Sequence, residues 1–279
     1  MRRGIAWLPA LVALPLAAAA AAPIADPEHG AIAKGVYSNR YFGLAYPLPP
    51  GWDEGLAPPP PSLLGYYVLS TPQPEAAIGA TLLVAAQDEF FAARPMADAM
   101  AMAEDLRESA ARTKGLEAGP APQRVTIAGH SFARVEIGGA VLSRVVLATD
   151  IRCHIVSFTF ASPDRAVLEK LVESAQALSF PAEDGEPPPV CLKDYASADT
   201  ILHKVEPVLS GTPFMRIPTR IIIGRDGKVK HVHVIRAFPG QAQAIETALA
   251  QWTFKPYLAG GQPAEVETGL VFEYKPGGK

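Results

Sequence analysis

Residues 216–236 read RIPTRIIIGRDGKVKHVHVIR, and this stretch decides the fold of the C-terminal part of the chain. Two runs rich in β-branched residues, Arg216–Ile223 and Val229–Arg236, flank Gly224-Arg225-Asp226-Gly227. Asp-Gly accepts the positive backbone angles of a tight turn, so the stretch is predicted to be a β-hairpin. Pro218 cannot donate to a sheet ladder, which in this reading places the first strand at a sheet edge. In the second strand Val232 and Val234 share one face and His231 and His233 the other. The valines read as the core side. The histidines, set among Lys228, Lys230 and Arg236, read as a solvated face, and with no third ligand in view they do not make a metal site.

Working outward, Pro239-Gly240 precedes a helix with Ile245, Ala248, Leu249 and Trp252 on one face. Phe254-Lys255-Pro256 leaves the helix and Gly260-Gly261-Gln262-Pro263 turns the chain. Ala264–Tyr274 then alternates as a strand. Asp226-Gly227 followed by Val229, a helix ending in Trp252-x-Phe254-x-Pro256, a glycine turn and a final strand occur in the order found in TonB C-terminal domains. Over about residues 200–276 the chain resembles that family, and Lys204-Val205-Glu206-Pro207 also fits. Ser210-Gly211-Thr212-Pro213 stands where the family carries Tyr-Pro, a short helix and a glycine, so the start of the module is shortened. The resemblance implies a small domain of hairpin, helix and strand that captures an extended peptide by adding it as a strand. Since Pro218 blunts the strand that bears it, the partner-binding edge is expected on the last strand, at Val266, Thr268, Leu270 and Phe272.

Upstream, Tyr41–Leu48 alternates, and Leu64–Ser70 and Ile78–Ala86 read as the next strands. Pro95–Thr113 is helical in pattern. Gln123–Ala128 and Ser131–Ile137 flank a Gly129-His130 turn, and Ala140–Thr149 and Ile151–Ala161 meet near Asp150. Ser162-Pro163-Asp164 opens a second helix, with Ser162 as the expected cap and Leu168, Leu171, Val172, Ala175 and Leu178 as its buried stripe. Hairpins demand antiparallel pairing, so the fold class is α+β. The opening Tyr41-Phe-Gly-Leu-Ala-Tyr-Pro-Leu-Pro-Pro-Gly-Trp52, with the element order over about 36–181, resembles PsbP-like domains. That family is mostly non-catalytic and includes accessory proteins of larger assemblies. The expected organisation is a signal peptide at 1–22, an antiparallel-sheet domain with two helices at 36–181, a proline-rich acidic linker at 182–190 and the TonB-like module at 191–279.

The N-terminus bears on location. Arg2 and Arg3 precede an apolar run, Ile5–Ala22, that ends in alanines, the layout of a secretory signal peptide. The expected location is the periplasm. A retained leader would instead anchor the chain in the inner membrane. No later stretch is long and apolar enough to span a bilayer. The formal charge of −3 and the lack of a basic block argue against nucleic acid as a partner. The chain has 2 cysteines, Cys153 and Cys191, and in an oxidising compartment two cysteines pair. The alternative is a buried thiol and an unrelated exposed one. Without Cys-x-x-Cys there is no redox motif. Gly129-His130-Ser131-Phe132-Ala133 has alanine where a hydrolase elbow needs glycine. The sequence offers no positive case for an enzyme, a cofactor or a metal. The reading is an exported protein-interaction protein whose partner is a cell-envelope protein or peptide. The alternatives are a membrane-anchored TonB-type energy transducer and an enzyme with an interdomain site.

Overall fold

The computed structural model describes residues 24–74, 79–181, 187–209 and 216–273. The leader at 1–22 and linker residues 182–186 lie outside this set. The first unit begins with a meander of β1 (Gly30–Ala33), β2 (Val36–Asn39) and β3 (Leu44–Pro47). It therefore extends N-terminally of residue 36. β3 is shorter than the Tyr41–Leu48 alternation suggests, because the chain turns at Arg40–Gly43 before extending. β4 (Trp52–Asp53) pairs with β6 (Gln73–Pro74).

The main sheet of this unit is antiparallel. It contains β5 (Tyr66–Ser70), β7 (Thr81–Asp88), β8 (Leu116–Ala118), β9 (Gln123–Ile127), β10 (His130–Gly139), β11 (Ser143–Ile151) and β12 (His154–Ser162). The order is β5-β7-β12-β11-β10-β8, with β9 also pairing β10. Helix α1 (Ala99–Arg112) covers one face, packing Ala99 and Ala103 on Ala133, Val135, Val146 and Ala148. Helix α2 (Arg165–Ser174) and the meander cover the other face, where Tyr46, Phe132, Phe158 and Phe160 form the centre of the larger core.

Two local expectations need correction. The cap of α2 is Asp164, not Ser162: its carboxylate accepts from the Ala166 and Val167 amides, while Ser162 Oγ accepts from Asp164 itself. A carboxylate serves two orphan amides there, so Pro163 falls outside the helix. The β11–β12 turn centres on Arg152 and Cys153, since Ile151 pairs with His154. Both central residues have positive φ, 48° and 60°. Neither is glycine, asparagine or aspartate, so this turn is held by its surroundings and not by local preference.

The second unit contains β13 (Val190–Cys191), β14 (Ile201–His203), β15 (Arg216–Ile223), β16 (Val229–Val234), α3 (Pro239–Leu249), β17 (Thr253–Phe254), β18 (Tyr257–Ala259), β19 (Gln262–Ala264) and β20 (Val266–Glu273). β14 pairs β17 and β18 pairs β19. The sheet order is β13-β20-β15-β16, with β13 parallel to β20 and the rest antiparallel. The hairpin and the helix stand where the sequence reading puts them.

β15 is nevertheless a central strand, not the edge that Pro218 suggests. The Pro218 carbonyl accepts from Ile235 N–H, so its polar groups face β16. That side lies beyond the last β15–β16 pair, Thr219 with Val234. The proline's missing donor is therefore displaced to a place where no ladder bond is needed.

Alternation assigns the two faces of this sheet. Ile217, Ile221, Ile223, Leu270 and Phe272 pack with Ile245, Leu249, Trp252 and Phe254 under α3. Arg220, Ile222, His231, His233, Ile235, Glu267 and Gly269 lie on the opposite face, which meets the first unit. Ile235 belongs to the first unit's core. Burial on both faces accounts for the unbroken apolar run Ile221-Ile222-Ile223, since a strand covered on one side would alternate with polar residues.

Candidate interaction surface and the interdomain contact

At the centre of the contact between the two units is Arg220, 2% exposed on a mostly apolar strand. Its Nη1 donates to Asp88 Oδ2 at 2.6 Å and its Nε to Glu267 Oε1 at 3.2 Å. Tyr41 Oη donates to the same Glu267 oxygen at 2.7 Å. Arg152 donates to the Tyr41 carbonyl at 2.8 Å, lies 4.1 Å from the centre of its ring, and places Nη2 3.7 Å from Glu267 Oε2. Two guanidinium groups thus face two carboxylates, and no net charge is buried. Burial works against the Arg220 charge, but Asp88, Tyr41 and Glu267 outweigh it and raise its pKa well above the ordinary value. Phe90 lies under the guanidinium with 4.5 Å between Cζ and the ring centre. Gly269 makes room for that ring: a Cβ there would come within 3.0 Å of both Phe90 Cβ and Phe91 Cζ.

His154, fully buried, closes the cluster from the first unit. Burial, and next the Arg220 charge, hold its pKa well below the ordinary imidazole value. Its Nδ1 lies 2.7 Å from the Arg152 carbonyl and carries the proton. These bonds hold the Arg152-Cys153 turn in its left-handed conformation. The next residue, Cys153, is joined to Cys191 with Cα atoms 5.8 Å apart across a sequence separation of 38. The cysteines therefore pair, and the bond ties β13 to the turn at the heart of the contact. On the chain-entropy model a loop of this length is worth about 4 kcal/mol.

The histidines on β16 are not a solvated face. His231 Nε2 lies 2.8 Å from Asp26 Oδ1, and His233 Nε2 lies 3.0 Å from Glu28 Oε1. His233 is buried and stacks on Tyr67. The solvated reading treats the sheet as covered on one side only; on the other, the segment ahead of β1, with Asp26 and Glu28, meets the histidines. Among the described residues no group of three or more His, Cys, Asp or Glu is placed to hold a metal.

The expected partner-binding residues separate into three settings. Val266 is buried and its strand is already paired, to Val190 of β13. Val190 N–H donates to the Glu265 carbonyl and Leu192 N–H to the Glu267 carbonyl. Thr268 is buried, and its hydroxyl donates to the Lys193 carbonyl. Leu270 and Phe272 turn their side chains into the core under α3. The edge at Val266–Thr268 is therefore not free. The rest of the strand differs. In an antiparallel strand the amide and carbonyl of one residue point the same way. Because Glu267 points outward to β13, so do Gly269, Val271 and Glu273, and among the described residues no strand pairs with them. Val271 and Glu273 are the exposed side chains of this segment.

A separate groove of about 560 Å³ lies between α2 and the β8–β10–β11 end of the first sheet, with Arg134, Glu136, Arg144, Arg165, Glu169 and Glu173 among its walls. Arg134 pairs with Glu136 and Arg165 with Glu169. Its charges are of both signs, and it is remote from the interdomain contact.

Sequence reasoning missed Arg220, Asp88 and Glu267. The available signal was an arginine inside the run Ile217–Ile223: a charge in the middle of a strand buried on both faces demands a buried partner.

No protein-family model matches the chain, and no curated protein matches it. Two solved structures are similar to parts of it. One is the solution NMR structure of the Pseudomonas aeruginosa TonB CTD, at 21% identity, covering 31% of this chain and 95% of that one with a TM-score of 0.26. The other is the solution structure of cyanobacterial PsbP (CyanoP) from Synechocystis sp. PCC 6803, at 12% identity, covering 52% of this chain and 91% of that one with a TM-score of 0.38. These are the two families that the sequence resembles.

Proposed function

We propose that this is an exported, non-catalytic interaction protein of the cell envelope that captures an extended peptide segment on the open half of β20. The observation that carries the reading is the state of that edge. Both faces of the sheet are covered, by α3 and by the first unit, while among the described residues no strand pairs with the outward side of Gly269, Val271 and Glu273. Main-chain pairing gives such an edge affinity without side-chain chemistry. The same edge already accepts one added strand, β13. The opposite edge, β16, carries Lys230, a residue type that guards edges against pairing.

Proline substitution tests this directly. Val271→Pro removes an outward amide and puts a ring where an added strand must lie. Capture of envelope proteins by the full chain is expected to fall about tenfold or more, that is, by at least about 1.4 kcal/mol. Stability should change by less than about 1 kcal/mol, since the lost amide has no ladder partner. A proline at Leu270 would not serve, because that amide faces β15. Equal capture by the wild type and Val271→Pro would end the strand-addition reading.

Export rests on the leader. The mass of the mature protein from the envelope is expected to correspond to a start near Ala22. A mass that retains Arg2 and Arg3 would favour the anchored energy transducer instead.

A further inference from the structure

We infer that the disulfide is a latch that holds β13 on the β20 edge as an internal placeholder, and that its reduction opens the full edge from Glu265 to Glu273 to the partner. The inference rests on the edge-binding reading above and supplies its regulation.

β13 is a weak strand on its own. It has two residues, Val190 and Cys191, and follows three prolines, Pro187–Pro189, that have no amide to donate. The Val190 and Leu192 amides donate to β20, and the Thr268 hydroxyl donates to the Lys193 carbonyl beside them. Neither Val190 nor Cys191 is fully buried. A strand this short would lose in competition with a longer incoming segment. What favours it is the covalent bond to Cys153, which keeps Cys191 at the edge whatever its own affinity.

The bond is placed to be opened. Cys191 is exposed, whereas Cys153 is 8% exposed, so an incoming thiolate reaches the Cys191 sulfur. The co-reactant is a dithiol of the thiol–disulfide oxidoreductase class. One thiolate attacks Cys191 Sγ, and the S–S bond breaks with its electron pair leaving on Cys153 Sγ, which takes a proton. The donor's second thiolate then displaces Cys191 as a thiol, and the donor departs as its own disulfide. Two electrons and two protons have moved to the chain. The Arg220 cluster, which involves neither sulfur, keeps the two units docked.

The test is hydrogen exchange on the full mature chain with and without dithiothreitol, and on Cys191→Ser. Exchange at the Val190 and Leu192 amides is expected to rise at least tenfold on reduction, with β15 equally protected in both states. Envelope-protein capture by the reduced chain is expected to rise severalfold. Unchanged protection at Val190 and Leu192 would overturn the latch. So would loss of protection across β15, since the bond would then be holding the units together. Released amides with unchanged capture would overturn the regulation and leave strand addition standing, because Val271→Pro reports on that separately. If Val271→Pro leaves capture unchanged in both redox states, the edge reading itself fails, whatever the exchange data show.

Discussion

Arg220→Met is expected to destabilise the protein by about 3–5 kcal/mol, the usual result of removing one partner from a buried ion pair. The cost comes from what remains. Asp88 and Glu267, both almost fully buried, would face each other across an apolar side chain without the guanidinium that bridges them. Methionine fills much of the arginine's volume, so cavity formation contributes little, and the lost packing on Phe90 is partly replaced by sulfur–aromatic contact. The double variant Asp88→Asn, Arg220→Met should recover most of the loss, because it removes one charge of each sign and leaves Glu267 facing Arg152. Urea unfolding gives the comparison through the shift in midpoint at constant slope. A single-substitution cost under about 1 kcal/mol would show that water reaches the cluster and that the contact is not dry. Since the cluster joins the two cores, Trp52 in the first and Trp252 in the second should report one shared transition.

Gly227→Ala is the second large effect, expected at about 2–4 kcal/mol. Two causes add. Gly227 has φ of 78°, a conformation costly for alanine. The added Cβ would also sit 2.1 Å from the Phe254 carbonyl oxygen, and backbone cannot swing aside as a side chain can. That approach is structural: Phe254 N–H donates to the Gly227 carbonyl at 2.8 Å, fastening the segment after α3 to the β15–β16 turn. Trp252, two residues earlier, is buried and donates its indole N–H to the Val205 carbonyl at 2.7 Å. Loss of Trp252 fluorescence shift at a lower denaturant concentration would read the effect. A variant as stable as the wild type would mean that the turn can move away from Phe254 without loss.

These two residues also mark the limits of what the sequence discloses. Asp226-Gly227 was legible as a local turn rule and Trp252-x-Phe254-x-Pro256 through the resemblance to TonB C-terminal domains, and the structure shows them to be two halves of one contact. The hairpins of the first unit were legible by the same turn rule. The Arg152-Cys153 turn was not, because its left-handed residues are held by Tyr41 and Glu267, both distant in sequence, together with the neighbouring His154. His231 and His233 were misread because alternation tells which residues share a face but not what covers that face. Pro218 misled because an edge rule was applied to a whole strand, when only its end lies beyond the pairing. The open half of β20 could not be separated from its covered half without knowing that Val190 and Cys191 return to it.

The pairing of β20 with β15 has a mechanical consequence. Eight residues of β20, Val266–Glu273, run alongside β15 from Ile223 to Arg216 in unbroken register. A segment bound along the outer side of β20 and pulled along its own length would load that ladder in shear, so its bonds must yield together and not one after another. The load would then pass from β15 through Arg220 into the larger sheet. A grip that takes tension this way suits a tether more than a passing encounter.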